Sequence, residues 1–188
     1  MAKTSASGIV QASTSQLVII DMQAKLSLAM PPLALQSVVK NIQILLQSAS
    51  HLALPVLLTE QYPKGLGATL AALTSDLSDV HAIPKMAFSA CKEPKFGQKL
   101  NRDRSQIILT GMEAHICILQ TALDLLSMGK QVFVVEDAII SRSADHHANA
   151  VARLRDSGCI ITNTESVLFE CLGSASHEAF KAIATLIK

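Results

Sequence analysis

Leu17-Val18-Ile19-Ile20-Asp21 decides the fold. Four apolar residues run without a polar break, three of them β-branched, and an acid ends the run. A strand with one wet face would alternate; an unbroken run is the mark of a strand covered on both faces, as in a parallel sheet between helices. The pattern recurs at 55–59, 106–110, 131–135 and 159–162, and more weakly at 81–85, where Pro84 marks an edge strand. Between these runs the period changes. Residues 33–53 carry Leu33, Val38, Val39, Ile42, Leu45, Leu46 and Ala49 at helical spacing. A short helix is expected over 68–77, and one or two turns within the charged stretch 86–104. Apolar and amphipathic helices follow over 116–128 and 145–157, stopped at Gly129 and Gly158, and a last helix runs over 176–186. Strands alternating with helices predict a three-layer α/β fold around a six-stranded, mainly parallel sheet.

The chain has 188 residues, 49% of them hydrophobic and 16% charged, with a mean hydropathy of +0.36. That length is one domain on the usual scale of about 100–200 residues. The apolar content excludes disorder. With so few charges to cover the surface, it also predicts a homo-oligomer. A net charge of +1 gives no footprint for nucleic acid or an anionic membrane. Aromatic residues at 3%, with no Trp, exclude a base-stacking platform. The longest apolar runs, such as 17–20 and 52–58, are far short of the roughly 18–20 residues of a transmembrane helix. Residues 1–16 are rich in Ala, Ser and Thr and lack the apolar centre of a signal peptide. The expectation is a cytoplasmic protein with a mobile tail over 1–15 and one domain over 16–188. Cys91, Cys117, Cys159 and Cys171 have neither CxxC nor zinc-site spacing and read as reduced thiols.

Ligands of open α/β sheets bind beyond the carboxyl ends of the strands, at the topological switch point. Asp21 follows the first strand, Lys85 ends the third, Cys117 comes six residues after Gly111, and Asp137 follows the fifth. Cys117 falls at a helix start, where unpaired N–H groups and the positive end of the helix dipole favour a thiolate and can hold an oxyanion. Each residue also has an ordinary reading. A free cysteine is most often a small buried apolar residue. Asp21 is equally a cap or turn residue, and a lone lysine is more often solvated. Asp145-His146-His147 is a weak metal candidate, because adjacent histidines at a helix start diverge. Gly65-Leu66-Gly67 lacks the third glycine of a dinucleotide fingerprint.

The stretches LVIIDMQ (17–23), KMAFS (85–89) and GMEAHIC (111–117) resemble the isochorismatase-like cysteine hydrolases, which include nicotinamidases and N-carbamoylsarcosine amidases. The resemblance covers about residues 16–172. TEQYPKGLG (59–67) and AHICILQTALDL (114–125) are similar to its isochorismatase domain-containing group. It implies the strand order 3-2-1-4-5-6 and a triad of Asp21, Lys85 and Cys117. Cys117 would attack the substrate carbon, Asp21 would act as base and then acid, and Lys85 would hold both electrostatically. It further implies a cis Met112–Glu113 peptide, with the backbone N–H groups of Glu113 and Cys117 forming an oxyanion hole. Gln23, Gln61, Tyr62, Phe88 and His115 are candidate pocket residues by position. In this strand order Lys85 starts two strands from Asp21, roughly 9–10 Å away, so residues 84–89 must bend back over the crevice.

The sequence departs from the family at three places. Nicotinamidases hold a metal through Asp-x-His after the second strand, where this chain has Thr59-Glu60-Gln61-Tyr62 and no further His until His81. No metal and no cofactor are therefore expected. Ala114 stands where Thr is common. Isochorismatases of siderophore pathways usually lack the cysteine, so Cys117 favours a covalent amidase route over vinyl-ether cleavage. The expected function is a metal-independent cysteine hydrolase acting on a small amide or related C–N bond. The alternatives are a non-catalytic oligomeric interaction module, a vinyl-ether hydrolase, and a thiol redox protein pairing Cys117 with Cys91.

Overall fold

The computed structural model describes residues 8–77 and 80–188. In chain order the elements are β1 (Ser15–Ile20), α1 (Ala24–Ser27), α2 (Pro32–His51), β2 (Val56–Gln61), α3 (Pro63–Leu66), α4 (Ala71–Thr74), β3 (Ile83–Lys85) and α5 (Pro94–Lys99). Then come β4 (Gln106–Met112), a π-helical turn (Ala114–Ile118) that runs on as α6 (Leu119–Ser127), β5 (Gln131–Ile140), α7 (Ala144–Asp156), β6 (Ile160–Thr162), α8 (Thr164–Leu172) and α9 (Phe180–Leu186). The six strands form one sheet in the order β3-β2-β1-β4-β5-β6, and every neighbouring pair is parallel. The chain changes direction across the sheet between β1 and β4, so the switch point lies at their carboxyl ends.

Every residue of β1 is buried, as its unbroken apolar run requires. Its side chains divide between two cores. Leu17 and Ile19 join Leu58, Ile108 and Phe133 beneath α2, α8 and α9. Val18 and Ile20 join Leu57, Leu109 and Val134 beneath α6 and α7. The helix α2 starts with Pro32 in its first turn, where the missing N–H costs nothing. Of the stripe that the sequence marks it buries Val38, Ile42, Leu45, Leu46 and Ala49, while Val39 is half-buried and Leu33 is exposed.

Three elements differ from the sequence expectation. The fifth strand does not stop at Val135. Its pairing with β4 jumps from Leu109–Val134 to Gly111–Ile139, so Glu136 and Asp137 bulge outward and the strand continues to Ile140. A bulge absorbs extra residues without ending a strand, and the acidic pair that reads as a terminus is that bulge. Between β6 and the last helix, where the sequence reading has no element, α8 forms. Asn163 caps it by accepting from Ser166 N, and Asp137 Oδ1 accepts from Thr164 N and Oγ1. Of the tail expected over 1–15, residues 1–7 lie outside the described residues. The rest lies against the domain: Val10 is buried and its N–H donates to Glu170 Oε2, while Gln11 N donates to Gln106 Oε1.

Candidate active site

β1 delivers Asp21 to the crevice in an uncommon backbone conformation. Its φ is 52°, a left-handed value that a non-glycine residue holds only when its surroundings enforce it. Here Asp21 N donates to Thr59 O, and Thr59 Oγ1 donates to Asp21 Oδ1 at 2.7 Å. The other carboxylate oxygen, Oδ2, lies 2.7 Å from Lys85 Nζ, with both side chains fully buried. Lys85 spans the breadth of β2 to reach it. The end of β2 supplies one acceptor on the way, Gln61 Oε1 at 2.6 Å, and the expected bend supplies two, Phe88 O at 3.0 Å and Ala87 O at 3.2 Å.

β4 delivers the thiol. Gly111 pairs with Ile20 and has φ 116°; a Cβ there would stand 2.0 Å from Ile20 O. Only glycine lets β1 and β4 approach this closely as they enter the site. The Met112–Glu113 peptide is cis. The next turn is π-helical, not the α-helix that the sequence predicts: Ile118 N donates to Glu113 O, five residues back. Such turns concentrate at functional sites. Cys117 sits in this turn, 3.5 Å from Lys85 Nζ, which also pairs with the Asp21 carboxylate. The three predicted chemical residues thus meet in one place.

The electrostatics correct one expectation. Burial, and next the Asp21 charge, push the Cys117 thiol up to about 12, against the pull of Lys85. The helix start therefore does not yield a resting thiolate. Burial also pushes the Asp21 carboxyl up, and Lys85, Thr59 and Cys117 offset this only in part. The resting site is a thiol beside a carboxylate–ammonium pair, with a carboxylate more basic than an exposed one.

Beside Cys117 lies a cavity of about 230 Å³ lined by Leu26, Gln61, Leu66, Phe88, Glu113, Ile116 and Arg142. Of the five candidate pocket residues, Gln61 and Phe88 line it. Gln23 does not: it is buried beneath the loop, donating to Gln61 O and Gly67 O and accepting from Gln61 N. Tyr62 is half exposed with its ring over Gly65. His115 faces away, bonded through Nδ1 to Ser141 Oγ at 2.9 Å and stacked near His146. Burial, His146 and Arg142 hold His115 below the ordinary imidazole value despite Glu113. Asp137 caps α8 and is remote from the site. Leu26, Leu66, Ile116 and Arg142 are lining residues that sequence reading missed. Arg142 reaches the rim because β5 outruns its acidic bulge. Its guanidinium grips the buried Glu113 carboxylate at 2.6–3.1 Å, and its backbone N–H adds a further bond at 3.0 Å. Burial works to raise Glu113, but the Arg142 bonds and charge outweigh it and hold the carboxyl below its usual range. Among the described residues no cluster of three or more His, Cys, Asp or Glu is arranged to hold a metal.

Comparison with known proteins agrees with this fold. The model of the isochorismatase domain matches residues 15–166. The chain belongs to the isochorismatase family. Within that family, isochorismatase domain-containing protein 2 of Danio rerio is 41% identical over 185 residues, covering 96% of this chain and 91% of the relative. The solved structure described as MAR1 ribonuclease from Caenorhabditis elegans superposes with a TM-score of 0.90 at 33% identity, covering 95% of this chain and 92% of that one. YcaC from Pseudomonas aeruginosa shares the fold, with a TM-score of 0.88 at 22% identity over 96% of this chain and 92% of its own.

Proposed function

We propose that this isochorismatase-family hydrolase is a metal-independent cysteine hydrolase that cleaves a small amide or related C–N bond through a covalent intermediate on Cys117. The observation that carries this reading is the Lys85 ammonium, 2.7 Å from Asp21 Oδ2 and 3.5 Å from Cys117 Sγ, all three groups buried. Burying an acid, a base and a thiol together costs stability that a scaffold has no reason to spend.

In the first half-reaction the Cys117 proton passes to the Asp21 carboxylate as sulfur attacks the carbonyl carbon. The carbonyl oxygen becomes an oxyanion, held by the N–H groups of Glu113 and Cys117 at the helix start. Asp21 then gives its proton to the leaving nitrogen as the C–N bond breaks, leaving a thioester. In the second half-reaction Asp21 takes a proton from water as that water attacks the thioester. The carboxylic acid leaves and the proton returns to the sulfur. Lys85 keeps its charge throughout and compensates first the carboxylate, then the developing sulfur and oxygen charge. A raised Asp21 suits this work, because a base is most effective when its pKa approaches the working pH.

The cavity supports a small substrate. About 230 Å³ is the share of roughly eight water molecules at ~30 Å³ each. Leu26, Leu66, Phe88 and Ile116 give it apolar walls, and its charged groups are paired with one another. This argues against a polyanionic substrate such as RNA. A vinyl-ether route would leave the thiol without a role. We also propose a cytoplasmic homo-oligomer. Leu28 and Leu33, 84% and 81% exposed, are part of the apolar surface it would cover, and a monomer of about 20 kDa by light scattering at micromolar concentration would contradict it. No helix among the described residues is long and apolar enough to cross a membrane.

The test is a panel of small uncharged carboxamides assayed for ammonia or amine release, with and without EDTA. The reading predicts turnover that survives EDTA and vanishes in Cys117→Ala. Turnover retained by Cys117→Ala would overturn the covalent route. Loss on chelation with recovery on adding zinc or manganese would overturn metal independence.

A further inference from the structure

Cys117, Thr121 and Asp124 lie at i, i+4 and i+7 on one helical stretch that begins as the π turn and continues as α6, so they share a face. The first carries the sulfur. The other two grip the segment that follows β3. Thr121 Oγ1 accepts from Ala90 N at 3.0 Å, and Asp124 Oδ2 accepts from Ser89 Oγ at 2.7 Å. Further along, Glu93 Oε1 accepts from Met86 N at 2.8 Å and Ala87 N at 3.3 Å. Between these anchors the Ala87 and Phe88 carbonyls turn inward to accept from Lys85 Nζ.

Lys85 has three N–H groups but five neighbours: Asp21 Oδ2, Gln61 Oε1, Ala87 O, Phe88 O and Cys117 Sγ. Sulfur is the most distant, at 3.5 Å. Small shifts of the two carbonyls therefore decide whether the ammonium stays against the sulfur.

We propose that Asp124 and Ser89 are positioning residues of the Cys117 site. Their hydrogen bond ties segment 86–89 to the helix that bears the nucleophile. Through the Ala87 and Phe88 carbonyls it holds the Lys85 ammonium at the sulfur. This rests on the cysteine-hydrolase reading above. The other contact of Asp124, to Lys92 Nζ at 3.3 Å, is with a largely exposed lysine and contributes little. The hydrogen bond to Ser89 is the working part.

The test needs no substrate. Iodoacetamide alkylation of Cys117 is followed by peptide mass spectrometry as a function of pH in the full chain, with urea unfolding as a separate measure of stability. Asp124→Ala and Ser89→Ala should each slow Cys117 alkylation about tenfold near neutral pH, with the profile displaced upward by about one pH unit. Ser89 Oγ also accepts from Cys91 N at 3.3 Å, so the double variant should be no slower than Ser89→Ala alone. Ser89→Thr, which keeps the hydroxyl, should restore most of the rate, and Lys92→Ala should leave it unchanged. The proposal is overturned if Ser89→Ala leaves rate and profile untouched, if the two effects add, or if Lys92→Ala reproduces Asp124→Ala. Should Asp124→Ala not fold, the Ser89 pair decides alone. Lys85→Gln in the same assay separates the two levels, because Lys85 is the group that pulls the Cys117 thiol down. If it slows Cys117 while Ser89→Ala does not, only the positioning role falls; if it has no effect, the hydrolase reading falls.

Discussion

Cys117 and Cys171 occupy opposite faces of the sheet, and burial pushes both thiols up to about 12. By acidity alone they are alike, and equally inert. Their neighbours separate them. Cys171, on α8, stands in an apolar core, where the Glu170 charge raises it further. Cys117 has a buried carboxylate to take its proton and an ammonium to offset the charge that results. On the mechanism proposed above, Cys117 would gain reactivity from an acceptor at hand, with no depressed resting pKa required, and would stay protonated until a carbonyl arrives.

The largest effect expected from breaking that difference is on stability. Lys85→Met would leave Asp21 charged, buried and unpaired, at a cost of about 3–5 kcal/mol, readable as a lower urea midpoint. Adding Asp21→Asn to Lys85→Met should recover much of the loss, since the stranded charge disappears. A double variant less stable than Lys85→Met would mean that the pair is not coupled. The region around Cys171 should respond to different substitutions. Asn163→Ala removes the cap of α8, worth about 1 kcal/mol. It should make Cys171 more accessible to alkylation by loosening that helix and leave Cys117 as it was. A matching change at Cys117 would show that the two regions open together.

The smallest effect concerns the cavity wall. The folded Glu113 carboxyl lies below its usual value, so its stabilisation is full above the unfolded value of 4.5 and is lost as pH falls through the folded one. Arg142 is half exposed, with its side chain 51% accessible, so the pair contributes only about 1 kcal/mol or less. Arg142→Gln should flatten the acid limb of the stability curve below about pH 4.5 and leave stability at pH 7 slightly reduced. An unchanged acid limb would show that Glu113 does not depend on Arg142.

How far the sequence could be read follows from the same physics. β1 was legible because burial on both faces demands an unbroken apolar run, and that run delivers Asp21 to the rim. Lys85 and Cys117 were legible as reactive residues at strand and helix boundaries, and the resemblance grouped them. Arg142 was not, because a bulge at Glu136 and Asp137 reads like a strand end. Gln23 was misread because period and position cannot tell a side chain aimed into a cavity from one bonded beneath a loop. The raised Cys117 was misread because helix-start electrostatics are visible in sequence and desolvation is not. The cap of α8 was present as Asn163 followed by Thr164, Glu165 and Ser166, and it went unused.

The most direct test compares the two buried thiols in one tube. Wild-type protein is treated with iodoacetamide at neutral pH, and alkylation of Cys117 and Cys171 is timed by peptide mass spectrometry beside the Lys85→Gln variant, which removes the charge that pulls the Cys117 thiol down. The account predicts that Cys117 reacts well ahead of Cys171 in the wild type, and that Lys85→Gln removes most of this lead without changing Cys171. Equal rates for the two thiols in the wild type, or a Cys117 lead that survives Lys85→Gln, would contradict it.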